Sequence, residues 1–299
     1  MKHPEILVPI DFSELGELAL KAAGSYSRVF SGRVTPFHAY TPITDLDGFY
    51  FTGSGVKAHE TFSEVEKILR IRLQDSALKY ITSDRLAAPL LDTGNPARCI
   101  ARQATAFDLV IMSSHGRSGF SRLIMGSVTE KVLRLCSKPV LTVREQSDLQ
   151  NFGHLLVFTD FSDNSYRIFP YANLIAEISG GQIELVHVVS SEQFFDEQAF
   201  SNAQKSRKEH LHKLVDTHFA NVSQQVTCTV IVSVHAPHVE LAKKTAESGC
   251  TLVCMSLTGR TGLEHLLMGS TASQVIRSVD KAVLTVNPQR MDKPENQGQ

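Results

Sequence analysis

Residues 112–144, MSSHGRSGFSRLIMGSVTEKVLRLCSKPVLTVR, return as residues 255–287, MSLTGRTGLEHLLMGSTASQVIRSVDKAVLTVN, and 16 of the 33 positions are identical at a constant offset of 143. The matching starts lie further upstream, ILVPIDFSE from Ile6 and LLVFTDFSD from Leu155, at an offset of 149. The second copy is therefore six residues shorter between its first strand and its glycine turn. A repeat of about 145 residues is domain-sized, which marks a duplication and not a solenoid. The expected boundaries are 1–146 for unit one and 152–289 for unit two, with 290–299 as a disordered tail. The polar joint EQSDLQNFGH is short, so the two units are expected to pack closely.

Periodicity alternates within each unit. EILVPI is a continuous apolar run, the pattern of a strand buried on both faces. SELGELALKAAGSYSRVF has helical spacing, with Ser13 as N-cap and Glu14 in the first turn. Next come a strand at RVTPFHAY, a loop over 41–55 and a long polar helix from about Val56 to Tyr80. A strand at APLLD, a helix after Asn95-Pro96, a strand at DLVIMS, a helix from about Gly126 and a last strand at KPVLTVR complete the unit. Unit two repeats the order, with strands near Leu155, Ile183, Val226, Thr251 and Ala282. Alternating β and α elements predict an α/β fold whose parallel sheet carries helices on both faces.

Composition narrows the class. Thirty basic against 31 acidic residues leave a net charge of −1, which gives no electrostatic reason to expect nucleic acid. The N-terminal apolar run is too short for a signal-peptide core, and no apolar stretch is long enough to span a membrane, so the expected location is cytoplasmic. Five cysteines without paired spacing argue against a disulfide framework. Cys250 and Cys254 read as buried small hydrophobes.

The repeated turn carries the chemistry. In open parallel α/β sheets, ligands sit beyond the carboxyl ends of the strands. The turn from Ser113 lies at such an end, and its glycines admit close backbone approach. Gly126-Ser127 opens a helix whose unpaired N–H groups and positive dipole end attract phosphate. The Ser127 hydroxyl is placed to reach a phosphate or a phosphate-bound Mg²⁺, or to act as an ordinary N-cap. Asp11 ends the first strand at the same edge, where a carboxylate accepts bonds from ribose hydroxyls or an adenine amine. Together they suggest a mononucleotide site. Neither a Walker A loop nor a GxGxxG fingerprint is present.

Strand–Asp-Phe-Ser, then Gly-x2-Gly-x9-Gly-(Ser/Thr), a helix and KPVLTVR resemble the universal stress protein family, and the match covers both halves. The resemblance implies a tandem protein: two open parallel five-stranded sheets flanked by helices, Rossmann-like and adenine nucleotide alpha hydrolase-like. It also implies an intramolecular pseudo-dimer paired through the last strands, KPVLTVR and KAVLTVN. The implied ligand is ATP, AMP or ADP, with Mg²⁺ on the phosphates. Carried over by position, the contacts in unit one are Pro9, Ile10, Asp11, Ala39, Ser113, Gly116, Arg117, Gly126 and Ser127. In unit two they are Asp160, Val188, Ser256, Gly259, Gly269 and Ser270. Serine replaces the first glycine of the pattern in both units, at Ser113 and Ser256. Unit two departs further, with Thr159 for Ile10, Thr258 for His115 and His235 for Gly94, which favours unit one as the working site.

The turn histidine His115 has no evident carboxylate partner and reads as a local packing residue. His210, His212, His235 and His238 lack the Cys or carboxylate company of a zinc site. Three function classes follow: a nucleotide-binding regulatory protein of the stress response with protein partners, a weak ATP hydrolase, and a scaffold with decayed sites. No catalytic residue is assigned. A further homodimer stays open.

Overall fold

The computed structural model describes residues 3–41, 58–114, 125–147, 150–190, 197–260 and 268–291. Unit one runs β1 (Glu5–Pro9), α1 (Glu14–Phe30), β2 (Arg33–Tyr40), α2 (Ala58–Leu78), β3 (Leu90–Thr93), α3 (Pro96–Ala104), β4 (Leu109–Ser113), α4 (Ser127–Leu135) and β5 (Val140–Val143). Unit two runs β6 (His154–Phe158), α5 (Asp163–Tyr166), α6 (Phe169–Ser179), β7 (Gln182–Ser190), α7 (Glu197–His218), β8 (Val226–Ser233), α8 (Pro237–Glu247), β9 (Leu252–Ser256), α9 (Ser270–Ser278), β10 (Ala282–Val286) and α10 (Pro288–Met291).

Local chemistry explains the boundaries. Ser13 caps α1 by accepting the N–H of Gly16, and Asn95 caps α3 by accepting that of Arg98. Helix α1 is one piece of 17 residues, whereas unit two splits the same region into α5 and α6. Pro170, in the first turn of α6, has no N–H and fits a helix start better than a helix interior. Helix α10 carries the chain to Met291, two residues into the span expected as a disordered tail, and the Arg290 guanidinium donates to Arg134 O at 3.2 Å. The reach of a terminal arginine to a helix-end carbonyl is not visible in a polar sequence. The 41–55 loop lies outside the described residues except for Thr41.

The strands form one sheet, in the order β3-β2-β1-β4-β5-β10-β9-β6-β7-β8. Every neighbouring pair is parallel except β5 and β10, which run antiparallel. The two expected five-stranded sheets are thus fused edge to edge into a single mostly parallel sheet of ten. Fully buried apolar layers, with Ile6, Leu20, Leu155 and Phe169 on one face and Leu7, Phe37, Leu156 and Val253 on the other, cover both sides of it.

The joint obeys the internal repeat. Leu141 pairs with Leu284, its own counterpart at offset 143, so a pseudo-twofold axis passes through that pair. The hydroxyl of Thr142 donates to Val283 O at 3.2 Å, and that of Thr285 donates to Val140 O at 3.1 Å. One residue beyond each strand the polar groups cross. The buried Arg144 guanidinium donates to Ile276 O and Arg277 O at 2.7 and 2.9 Å, and the Asn287 amide donates to Leu133 O and Arg134 O, both at 3.1 Å. These carbonyls sit at the C-terminal ends of α9 and α4, where a helix has no internal donor to offer. Each unit therefore caps a helix of the other. Arg277 adds an ion pair to Glu130 at 3.3 Å across the joint.

Arg144→Ala strands two buried helix-end carbonyls and should lower stability by about 2–3 kcal/mol, read as a lower urea midpoint. Asn287→Ala should cost less, because it removes a neutral donor. Equal midpoints for wild type and both variants would show that the crossed caps carry no stability.

Candidate functional site

The family motif Asp-Phe-Ser follows the first strand of each unit and takes the same backbone form twice. Phe12 and Phe161 have φ of 61° and 65°, a left-handed conformation that costs a bulky residue on the order of 1–3 kcal/mol. The kink turns the aspartate back over the helix start. Asp11 Oδ1 accepts from the N–H and hydroxyl of Ser13 at 3.1 and 2.5 Å, and Asp160 Oδ1 accepts from those of Ser162 at 3.0 and 2.6 Å. Ser13 and Ser162 in turn cap α1 and α5. Part of each carboxylate's work is therefore structural.

Each strained phenylalanine is held by aromatic and cationic neighbours. Phe12 lies 4.7 Å from the His38 ring, with the Arg72 guanidinium 4.4 Å from its centroid. Phe161 stacks on His187 at 3.9 Å and meets His210 at 4.5 Å. His38 and His187 are counterparts at offset 149, and the sequence reading missed both. In each, Nδ1 stands 2.8 Å from a carbonyl oxygen, Ile10 O and Thr159 O. A carbonyl only accepts, so Nδ1 carries a proton in both rings. Burial, helped by the charges of Arg260 and Arg207, pushes His187 down to about 4 against the pull of the bond to Thr159.

In unit one the structure gathers Pro9, Ile10, Asp11, Ala39, Ser113, Gly126 and Ser127 around a cavity of about 260 Å³ at the carboxyl ends of β1, β2 and β4. Gly116 and Arg117, with His115, lie outside the described residues. The sequence reading did not single out Phe37, His38, Pro96, Ile100, Met112 and Thr129, which complete the apolar floor and walls. In unit two a cavity of about 460 Å³ is lined by Asp160, Val188, Ser256, Gly259, Gly269 and Ser270, all six expected there, and also by His187, Arg207, Thr258 and Arg260.

Gly126 and Gly269, not the serines, are the N-caps of α4 and α9, and neither helix start has a side-chain cap. Ser127 and Ser270 are first helical residues, and both line the cavities. The carbonyls of Ser114 and Leu257 accept the N–H of Gly126 and Gly269 at 2.8 and 2.7 Å, which turns each helix start toward its strand end. At Gly269 a Cβ would stand 3.3 Å from Leu257 O, tight enough to explain a glycine. Ser113 is the last residue of β4, and its carbonyl accepts the Thr129 hydroxyl at 3.0 Å.

In unit two the second oxygen of Asp160 accepts the N–H of Arg260 at 2.7 Å, and a Cβ at Gly259 would collide with the same carboxylate. Burial pushes the Asp160 carboxyl up, yet the bonds from Ser162 and Arg260 outweigh it and hold the group below its usual value. Among the described residues no group of three or more His, Cys, Asp or Glu is placed to hold a metal ion, and no helix is long and apolar enough to cross a membrane. The described cysteines are free, and burial raises the thiols of Cys136, Cys250 and Cys254.

The model of the universal stress protein family matches residues 3–144 and again 151–287. This chain belongs to that family. A universal stress protein of Methanocaldococcus jannaschii is 27% identical over 157 residues, covering 48% of this chain and 97% of that protein. A universal stress protein of Mycobacterium tuberculosis is 30% identical over 148 residues, covering 48% of each chain, so the match spans about half the length of the mycobacterial relative. Along nearly the whole chain, the crystal structure of a universal stress protein from Archaeoglobus fulgidus superposes with a TM-score of 0.63 at 20% identity, covering 95% of this chain and 96% of that one. A functionally unknown Pseudomonas aeruginosa protein gives 0.61 at 18%, covering 96% and 93%. At these identities the likeness is one of fold.

His187 makes stability depend on pH. Its folded value near 4 lies below the ordinary 6.5, so its contribution is present above pH 6.5 and is lost as pH falls toward 4. The total is about 3 kcal/mol. His187→Gln should flatten unfolding free energy between those pH values, and an unchanged slope would show that another group is responsible.

Proposed function

We propose that this universal stress protein binds an adenine nucleotide in unit one, and in unit two as well, and acts as a regulatory protein of the stress response through conformation and partner contact. The observation that carries the reading is the pair of cavities, built from corresponding residues at the carboxyl ends of the strands in both halves. Each joins an apolar floor, suited to a flat base, to a helix start whose N–H groups have no side-chain cap. Asp11 and Asp160 stand at the strand end as acceptors for ribose hydroxyls or the adenine amine.

Mg²⁺ would travel with the phosphates of ATP. The described residues supply no acidic cage of their own, so the hydroxyls of Ser127 and Ser270 are the protein groups nearest that role. Bound there, the ion would neutralise phosphate charge. We assign no catalytic residue, and the cytoplasm is the expected location.

The test is calorimetric titration of ATP–Mg²⁺ into wild type, Gly126→Val and Gly269→Val. Each substitution places branched methyl groups at a helix start where phosphate must approach. Each single variant should bind less nucleotide per chain than wild type, and the double variant none. No binding to wild type at millimolar ATP, or a double variant that binds like wild type, would overturn the reading and leave the scaffold class in front.

A further inference from the structure

The two cavities share a frame, and their linings differ in charge among the described residues; Arg117, the counterpart of Arg260 at offset 143, lies outside them. Among the described residues, the lining of the unit-one cavity includes one carboxylate, Asp11, and neither lysine nor arginine. The unit-two lining sets two guanidinium groups, Arg207 and Arg260, against Asp160. No carboxylate pairs with either arginine side chain among the described residues.

Arg207 comes from α7, whose register against α2 follows from burial. Leu73 and Leu211 are both 0% exposed, and four residues on Ala77 and Val215 are buried as well. In that register Arg72 corresponds to His210, and each lies over the phenylalanine of its own Asp-Phe-Ser turn. Arg207 then corresponds to Leu69 of unit one; Arg207 lines its own unit's cavity, whereas Leu69 is not among the lining residues of the other.

A separate observation points to a ligand. Thr258 is 4% exposed and lines the unit-two cavity, and its Oγ1 has no hydrogen-bond partner. A buried hydroxyl left unpaired is unfavourable, so such a group belongs where something else supplies the bond. Asp160 is meanwhile engaged by the Arg260 N–H, which leaves that carboxylate less able to repel an incoming anion.

From this arrangement we infer that unit two is a polyphosphate site: it selects nucleotides with two or three phosphates, with Arg207 as the specificity-determining cation. The inference rests on the nucleotide reading above. Arg207 adds a charge-assisted contact that grows with the number of phosphates, because a monophosphate held at the α9 start leaves the α7 wall unfilled. His187 suits the same environment: as a neutral ring it adds no charge to the wall that the two arginines form.

The experiment uses the full chain in a Gly126→Val background, so that unit two alone reports. Calorimetry compares ATP with AMP, each with Mg²⁺, in this protein and after adding Arg207→Leu, which installs the residue that unit one carries. The background protein should prefer ATP over AMP by about tenfold or more. Arg207→Leu should remove most of that preference and leave AMP affinity within about twofold. Thr258→Val is the second variant, and thermal melting without ligand separates a binding role from a structural one. Loss of an unpaired hydroxyl should leave the ligand-free melting temperature unchanged or raised, while ATP affinity falls. If nucleotide binds but the ATP-to-AMP ratio survives Arg207→Leu, the inference fails and the nucleotide reading stands. If neither nucleotide binds even wild type, both fail together.

Discussion

The antiparallel contact between β5 and β10 is the constraint on which the rest of the molecule depends. Two duplicated parallel sheets, each with an exposed last strand, present edges that would pair with any available chain. Here they satisfy each other, and the cross-donated bonds of Arg144 and Asn287 finish helices that neither unit closes alone. The capped carbonyls are themselves counterparts, 133 and 134 against 276 and 277, so the repeat is preserved to the level of single atoms while the donors differ. A guanidinium and an amide meet the same geometric demand with different charge.

That contact also sets the disposition of the sites. Parallel order within each unit gathers its strand ends at one edge, and antiparallel order between units directs the two edges oppositely. The cavities therefore open at opposite margins of one continuous sheet. A single ligand does not bridge them, and each was free to diverge in charge while the strained Asp-Phe-Ser turn stayed the same in both. The strain at Phe12 and Phe161 is kept because stacked rings and a capping serine hold it on either side.

Much of this was legible in the chain. Apolar runs located the strands because a strand of a covered parallel sheet is buried on both faces, and the Ser13 and Asn95 caps announced their helices. The paired glycines of the turn led to the helix starts that line the cavities. Ser127 as an alternative N-cap was the reading to set aside: Gly126 holds the cap position, and Ser127 is the first helical residue and lines the cavity. His38 and His187 carry little signal in the sequence, because they sit in the dissimilar second strands TPFHAY and ELVHVV. Their role lies in a ring nitrogen meeting a carbonyl 28 residues away in the chain, which no local pattern encodes.

By itself the sequence determined the duplication, the parallel α/β class and the identity of the turn that meets the ligand edge, because these follow from periodicity and from residues a few positions apart. Only the tertiary structure decided the antiparallel register of the joined strands, with Leu141 on Leu284, which end of one helix is capped by the other unit, and that Arg207 and Thr258 line the same cavity. Those outcomes depend on contacts between segments up to about 150 residues apart. Arg207 reaches the unit-two cavity because α7 turns Leu211 and Val215 into the core, and only packing in three dimensions brings that face of the helix to the strand ends.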